Sequence, residues 1–139
     1  MKKILSTCIL AASTLLATTL LASCQPKNRI IEKPFYLTRN TPSIEVSRIS
    51  LTDTITVLDM IVSGMPNTWI GIAPTSTLTD NQKNVYTILS GKGIKLGEGF
   101  AIPESGKGTF QLLFPPLNPD AQWIDFSEGP EVKDGFMIE

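Results

Sequence analysis

The chain has 139 residues, with 12 basic against 13 acidic side chains, a net charge of −1 and no histidine. Without histidine, Ser-His-Asp and Cys-His catalysis and the commonest zinc ligand sets are excluded. A near-neutral balance with no clustered basic face argues against a nucleic-acid partner, and the two cysteines, Cys8 and Cys24, both lie near the start, so the rest of the chain has no disulfide and no C-x-x-C redox pair.

The first element is an export signal. Met1, Lys2 and Lys3 put two positive charges at the N-terminus, and an uncharged apolar run from Ile4 to Leu21, punctuated by Ser and Thr, follows. A basic n-region ahead of an apolar h-region is the layout of a cleaved secretory signal helix. The run is also about long enough to span a bilayer, but small residues cluster where a peptidase would cut. The stretch Leu21-Ala22-Ser23-Cys24 resembles the lipobox of bacterial lipoproteins. That resemblance implies a signal peptide over residues 1–23 and a diacylglycerol-bearing Cys24. With no Asp after the cysteine, it implies the outer membrane rather than the inner one. No acidic run of the kind that directs some lipoproteins to the cell surface follows Cys24, so the periplasmic face is favoured. Cys24 is the lipidation residue; no catalytic, metal or cofactor residue is assigned, and none of these groups is expected. The membrane, through acyl chains on Cys24, is one partner, and a protein is expected to be the other.

Removing residues 1–23 leaves 116, with 10 basic and 13 acidic side chains and a net charge of −3. That is enough for one domain whose stability rests on an apolar core. Residues 24–34 read as a lipidated tether and 35–139 as the folded domain. Ser43–Leu51 alternates, then slips by one residue near Ser47-Arg48, which predicts a strand with a bulge. The stretch 54–62 is rich in β-branched residues and apolar on both faces, as a central strand is. Ser63–Asn67 reads as a turn, Thr68–Ala73 as a short strand carrying Trp69, and Asp80–Asn84 as a polar turn before a strand at Val85–Leu89. Gly91-Lys92-Gly93 and Gly97-Glu98-Gly99 read as turns framing Ile94–Leu96. Phe100–Ile102 and Thr109–Phe114 read as two arms of a hairpin with Pro103–Ser105 at its tip, and Pro115-Pro116 ends the second arm. Strands at Trp123–Phe126 and Val132–Ile138 complete the set. About eight short strands at this spacing predict an all-β, antiparallel, immunoglobulin-like β-sandwich.

Motifs that could carry chemistry fail on inspection. Gly106-Lys107-Gly108-Thr109 lacks the upstream glycine and the Lys-Ser/Thr step of a phosphate loop. Asp125 and Glu128 could act as a carboxylate pair in glycoside hydrolysis, but nothing in the sequence brings them into a cleft. The late acidic residues Asp120, Asp125, Glu128, Glu131, Asp134 and Glu139 read as a solvated face. Trp69, Trp123, Tyr36 and Tyr86 could stack on a sugar, but in a small sandwich they are expected in the core. The reading is therefore not an enzyme.

Three stretches carry a second resemblance: Ile102-Pro103-Glu104-Ser105-Gly106, Phe110 through Leu117, and Ile124 through Gly129, with Trp69-Ile70-Gly71-Ile72 and Pro34-Phe35 extending it. Together they are similar to an N-terminal accessory domain of lipoproteins of gut anaerobes that continue into a thioredoxin-like disulfide oxidoreductase domain. The resemblance implies that redox chemistry belongs to the downstream domain, which this chain lacks. The alternating segment Gly135–Glu139 runs to the end of the sequence, where a strand usually frays; either it is held by pairing on both sides, or an open reading frame once continued. The expectation is a lipid-anchored, non-catalytic accessory or protein-interaction module of the cell envelope. The alternatives are a carbohydrate- or ligand-binding lipoprotein, which requires an exposed aromatic cluster, and an adhesin or pilus-type subunit, which requires an unpaired edge at Gly135–Ile138.

Overall fold

The computed structural model describes residues 28–129 and 137–138, so Cys24, the signal, Glu131, Asp134, Gly135 and Glu139 lie outside the described residues. The elements are β1 (Arg29–Glu32), β2 (Ile44–Leu51), β3 (Thr56–Ser63), β4 (Trp69–Gly71), β5 (Thr77–Asp80), β6 (Val85–Thr87), β7 (Ser90–Lys92), β8 (Gly99–Ala101), β9 (Lys107–Phe114), β10 (Ile124–Ser127) and β11 (Met137–Ile138). All pairings are antiparallel. Among the described residues no helix is long and apolar enough to cross a membrane.

The strands form a five-stranded sheet in the order β1-β2-β3-β9-β7, a four-stranded sheet in the order β11-β10-β5-β6, and a two-stranded ribbon of β4 and β8. Apart from β1, the two larger sheets reproduce the A-B-E-D and G-F-C-C′ orders of an immunoglobulin-type Greek key. The ribbon is an addition, made by the segments that leave β3 and enter β9.

Alternation builds the core. In β3, Thr56, Leu58, Met60 and Val62 are buried while the intervening residues are half-buried, so the strand is central with both faces partly covered, as its β-branched composition predicts. In β9, Gly108, Phe110, Leu112 and Phe114 face the same interior. Leu78 and Phe126 meet them from the second sheet. Phe114 packs edge-on against Phe126, with centroids 6.4 Å apart and planes at 89°, joining the two sheets.

The predicted bulge is present: the β2–β3 register shifts between Val46 and Arg48. The Ser47 carbonyl left over there accepts from Lys33 N at 2.8 Å, and the Ser47 hydroxyl donates to the Asp59 carbonyl. Other details depart from the sequence reading. Strand pairing begins at Arg29, inside the stretch read as tether, because Ile31 packs on the core while β1 pairs with β2. Ser90–Lys92, read in part as a turn, is β7 and pairs with β9; Gly91 tolerates this because the Ile94 side chain occupies the space over it, where a Cβ would meet Ile94 Cγ2 at 2.7 Å. The hairpin of Phe100–Ile102 with β9 does not form. A tight turn does close there, with Gly106 N donating to Pro103 O, but β8 pairs with β4 instead. Among the described residues the strands thus number eleven rather than about eight.

Registers fix the two ends of the sandwich. Ser63 faces Lys107 at one end of the β3–β9 ladder and Thr56 faces Phe114 at the other. The β4–β8 ribbon therefore follows the Ser63 end. Arg29, paired with Leu51, lies at the Thr56 end with the turn after β5 and the loop after β9.

Candidate functional site

The Thr56 end is held by a network of buried hydrogen bonds. Asp80 is fully buried, and its carboxylate accepts from Gln82 N at 2.9 Å, Asn84 N at 3.0 Å, Asn84 Nδ2 at 2.9 Å and the Tyr86 hydroxyl at 2.9 Å. Burial alone pushes the Asp80 pKa up. The bonds from Asn84, Tyr86 and Gln82 together outweigh it and hold the carboxyl below its ordinary value. Tyr86 shifts the other way: burial, and then the Asp80 carboxylate, hold its hydroxyl protonated beyond the usual range. That hydroxyl also accepts from Asn118 N at 3.0 Å, and Thr56 Oγ1 accepts from Leu117 N. The loop 115–123 is thereby pinned under the sandwich.

Pinning that loop opens a cleft. Where β1 and the segment Pro34–Leu37 face β10 across the edge of the sandwich, a cavity of about 370 Å³ opens, within the size range of ligand sites. Its floor is Val46, Leu58, Leu78 and Phe126; one lip is Phe35 and Leu37, and the other is Ala121, Trp123 and Ile124. Phe35 is 88% exposed, Leu37 77% and Trp123 45%. Polar groups are few and placed at the rim. The Arg29 guanidinium donates to the Ala121 carbonyl at 3.4 Å, and Tyr36 is locked to Val46, its hydroxyl accepting from Val46 N at 2.6 Å. Burial raises the Tyr36 pKa, with Glu45 adding to it. Arg39 lies 5.5 Å from the Tyr36 ring centre and Lys83 lies 5.7 Å from that of Trp123. Such a surface suits apolar groups carried by something anionic or amphipathic.

The opposite end carries a second exposed surface. Trp69 on β4 is 69% exposed and Met65 in the preceding turn 74%. The indole lies over Gly99, where a Cβ would meet Trp69 Cε3 at 2.8 Å; only glycine lets the ring come down onto β8. Phe100 ties the ribbon to the body by packing on Phe110 at 5.4 Å.

Placement of the singled-out residues corrects several expectations. Trp69 and Trp123 are not core residues: each covers backbone or a cleft edge and keeps much of its surface in solvent. They sit at opposite ends, Tyr36 lines the cleft near Trp123 and Tyr86 holds Asp80, so the four do not form one stacking platform. Asp125 and Glu128 are not brought together either, because strand alternation turns Asp125 away from the face of Phe126. Glu128 is not solvated. It is buried, and its Oε1 accepts from Ala73 N at 2.7 Å while its carbonyl accepts from the Thr75 hydroxyl. Among the described residues no group of three or more Cys, Asp or Glu is placed to hold a metal ion.

The cleft itself was not read from the sequence, although one signal for it was present. Pro34-Phe35-Tyr36-Leu37 is an apolar run between Lys33 and Arg39, with no alternation to make it a strand. Compared with protein-family models, with curated proteins and with solved structures, the chain finds no match, so its sites are interpreted from their own geometry.

Proposed function

We propose that this protein is a lipid-anchored, non-catalytic β-sandwich module of the cell envelope that works by protein contact. Acyl chains on Cys24 would hold it to the outer membrane, facing the periplasm. The observation that carries this reading is the polarity of the sandwich. Arg29, the first strand residue after the tether, is at one end, and the ribbon with Trp69 and Met65 is at the other. A module anchored through Cys24 therefore presents an exposed, rigidly seated tryptophan away from its membrane. Trp and Met are residues that interfaces favour. The resemblance of the sequence to accessory domains of thioredoxin-like lipoproteins points the same way, since it implies that any redox chemistry would belong to a separate downstream domain.

Two measurements test it. Intact mass of the native protein should correspond to a chain starting at an acylated Cys24, and Cys24→Ala should release it from the membrane. A photo-crosslinking residue at position 69 should give one discrete protein adduct in cells, and the same residue at Gln82, on the anchored end, should not. An unmodified Cys24, or equal labelling from both ends, would refute the proposal. The adhesin reading is the second one: among the described residues Met137 and Ile138 pair with β10 on one side and stand at the edge of the four-stranded sheet, and an edge there is what that reading requires.

A further inference from the structure

We propose that the cleft is a membrane-contact face: Phe35, Leu37 and Trp123 enter the headgroup region of the bilayer that holds the anchor, and Arg29 and Lys83 meet lipid phosphates around them. This rests on the reading that Cys24 carries the acyl chains.

Reach is the first argument. Arg29 lines the cleft and stands five positions after Cys24. Fully extended, that span covers at most about 18 Å. The Arg29 mouth of the cleft therefore cannot be lifted far from the headgroups into which the acyl chains insert.

Chemistry is the second. Exposed apolar side chains scattered singly need no explanation, but here three stand on the two lips of one cleft. Tryptophan is a residue that the membrane–water interface favours, because its ring is apolar and its N–H is polar. The Lys83 ammonium lies over the Trp123 ring, which puts a positive charge beside the inserted indole, at the level of the lipid phosphates. Nearby carboxylates limit the electrostatic share. Glu32 is engaged by Arg48 at 3.1 Å, but Glu45 and Asp120 are exposed. Insertion of the apolar lips therefore leads, and anionic lipid adds to it.

The molecule contains its own control. It has two tryptophans, one on the cleft and one on the ribbon at the far end. The mature, acylated protein is reconstituted into vesicles of phosphatidylethanolamine and phosphatidylglycerol with brominated acyl chains, as Trp69→Phe and as Trp123→Phe. In the first variant the remaining Trp123 should be quenched by the brominated lipid several-fold more than Trp69 is in the second, with emission shifted to the blue. Replacing Phe35 and Leu37 together by serine should at least halve the quenching of Trp123 while leaving the denaturation midpoint unchanged, because both side chains are exposed. Equal quenching of the two tryptophans in the acylated protein would overturn this inference and leave the anchor reading standing. So would a Trp123 shielded from aqueous iodide yet untouched by brominated lipid, since the cleft would then be covered by protein. A mass without acyl chains would overturn both.

Discussion

Replacing Glu128 separates a buried brace from a carboxylate available for chemistry. In Glu128→Ala the Ala73 N–H loses the Oε1 acceptor now 2.7 Å away. An unsatisfied buried donor costs about 1–3 kcal/mol, and the methylene lost with the side chain adds about 0.8 kcal/mol. The expected destabilisation is therefore about 2–4 kcal/mol, a large part of the roughly 5–15 kcal/mol that holds a domain together. At about 4 °C per kcal/mol for this size, the melting temperature should fall by about 8–16 °C. Glu128→Gln keeps an acceptor oxygen at the same place and should recover at least half of that loss, because a neutral acceptor is weaker but present. Guanidinium unfolding followed by tryptophan fluorescence measures both variants. A Glu128→Ala protein within about 0.5 kcal/mol of wild type, as surface substitutions are, would refute the buried brace and return Glu128 to the candidates for acid–base work.

Three further outcomes follow from the core and the two ends. Because the Asp80 carboxyl is held below its ordinary value of 3.8, its contribution to stability is complete above that pH and is lost as pH falls through the lower, folded value. Asp80→Asn should flatten this acid limb in unfolding curves measured between neutral pH and pH 2, and an unchanged limb would mean that the buried cluster does not couple to protons. Phe114→Ala removes the fully buried ring that meets Phe126 and should cost about 3–5 kcal/mol in the same assay; a cost under about 1 kcal/mol would mean that the sheets do not pack there. Gly99→Ala should push the Trp69 indole off β8, changing its near-ultraviolet circular dichroism while lowering stability by less than about 1 kcal/mol, and an unaltered spectrum would contradict the close seating of the ring.

The central architecture was legible because it rests on local patterns. Alternation in β9, branched residues in β3 and the one-residue slip at Ser47 all report burial directly. What escaped depends on distant partners. Ile30 and Ile31 lie in too short a run to declare a strand, and β1 exists because β2 offers an edge to it. Gly91 reads as a turn until Ile94 is seen covering it. Glu128 resembles any late acidic residue, because the N–H that buries it belongs to Ala73, remote in sequence. The tryptophans misled for a related reason: size argues for the core, but Gly99 gives Trp69 a seat outside it and Lys83 stands beside Trp123. The cleft escaped because Phe35 and Leu37 on one lip and Trp123 on the other come from loops, and Phe35 and Leu37 carry no periodicity to announce which side of the molecule they share.

The pairing of β1 has a mechanical consequence. The chain enters β1 at Arg29 and runs along β2 toward the ribbon end, so under the proposed anchoring a pull between Cys24 and a partner held at Trp69 would act along the strands. The four register pairs from Arg29 and Leu51 to Glu32 and Arg48 carry that load side by side, and their hydrogen bonds lie across the direction of force. They must yield together rather than peel apart one at a time. A two-stranded zipper pulled from its open end would give way at small forces; this arrangement resists in shear.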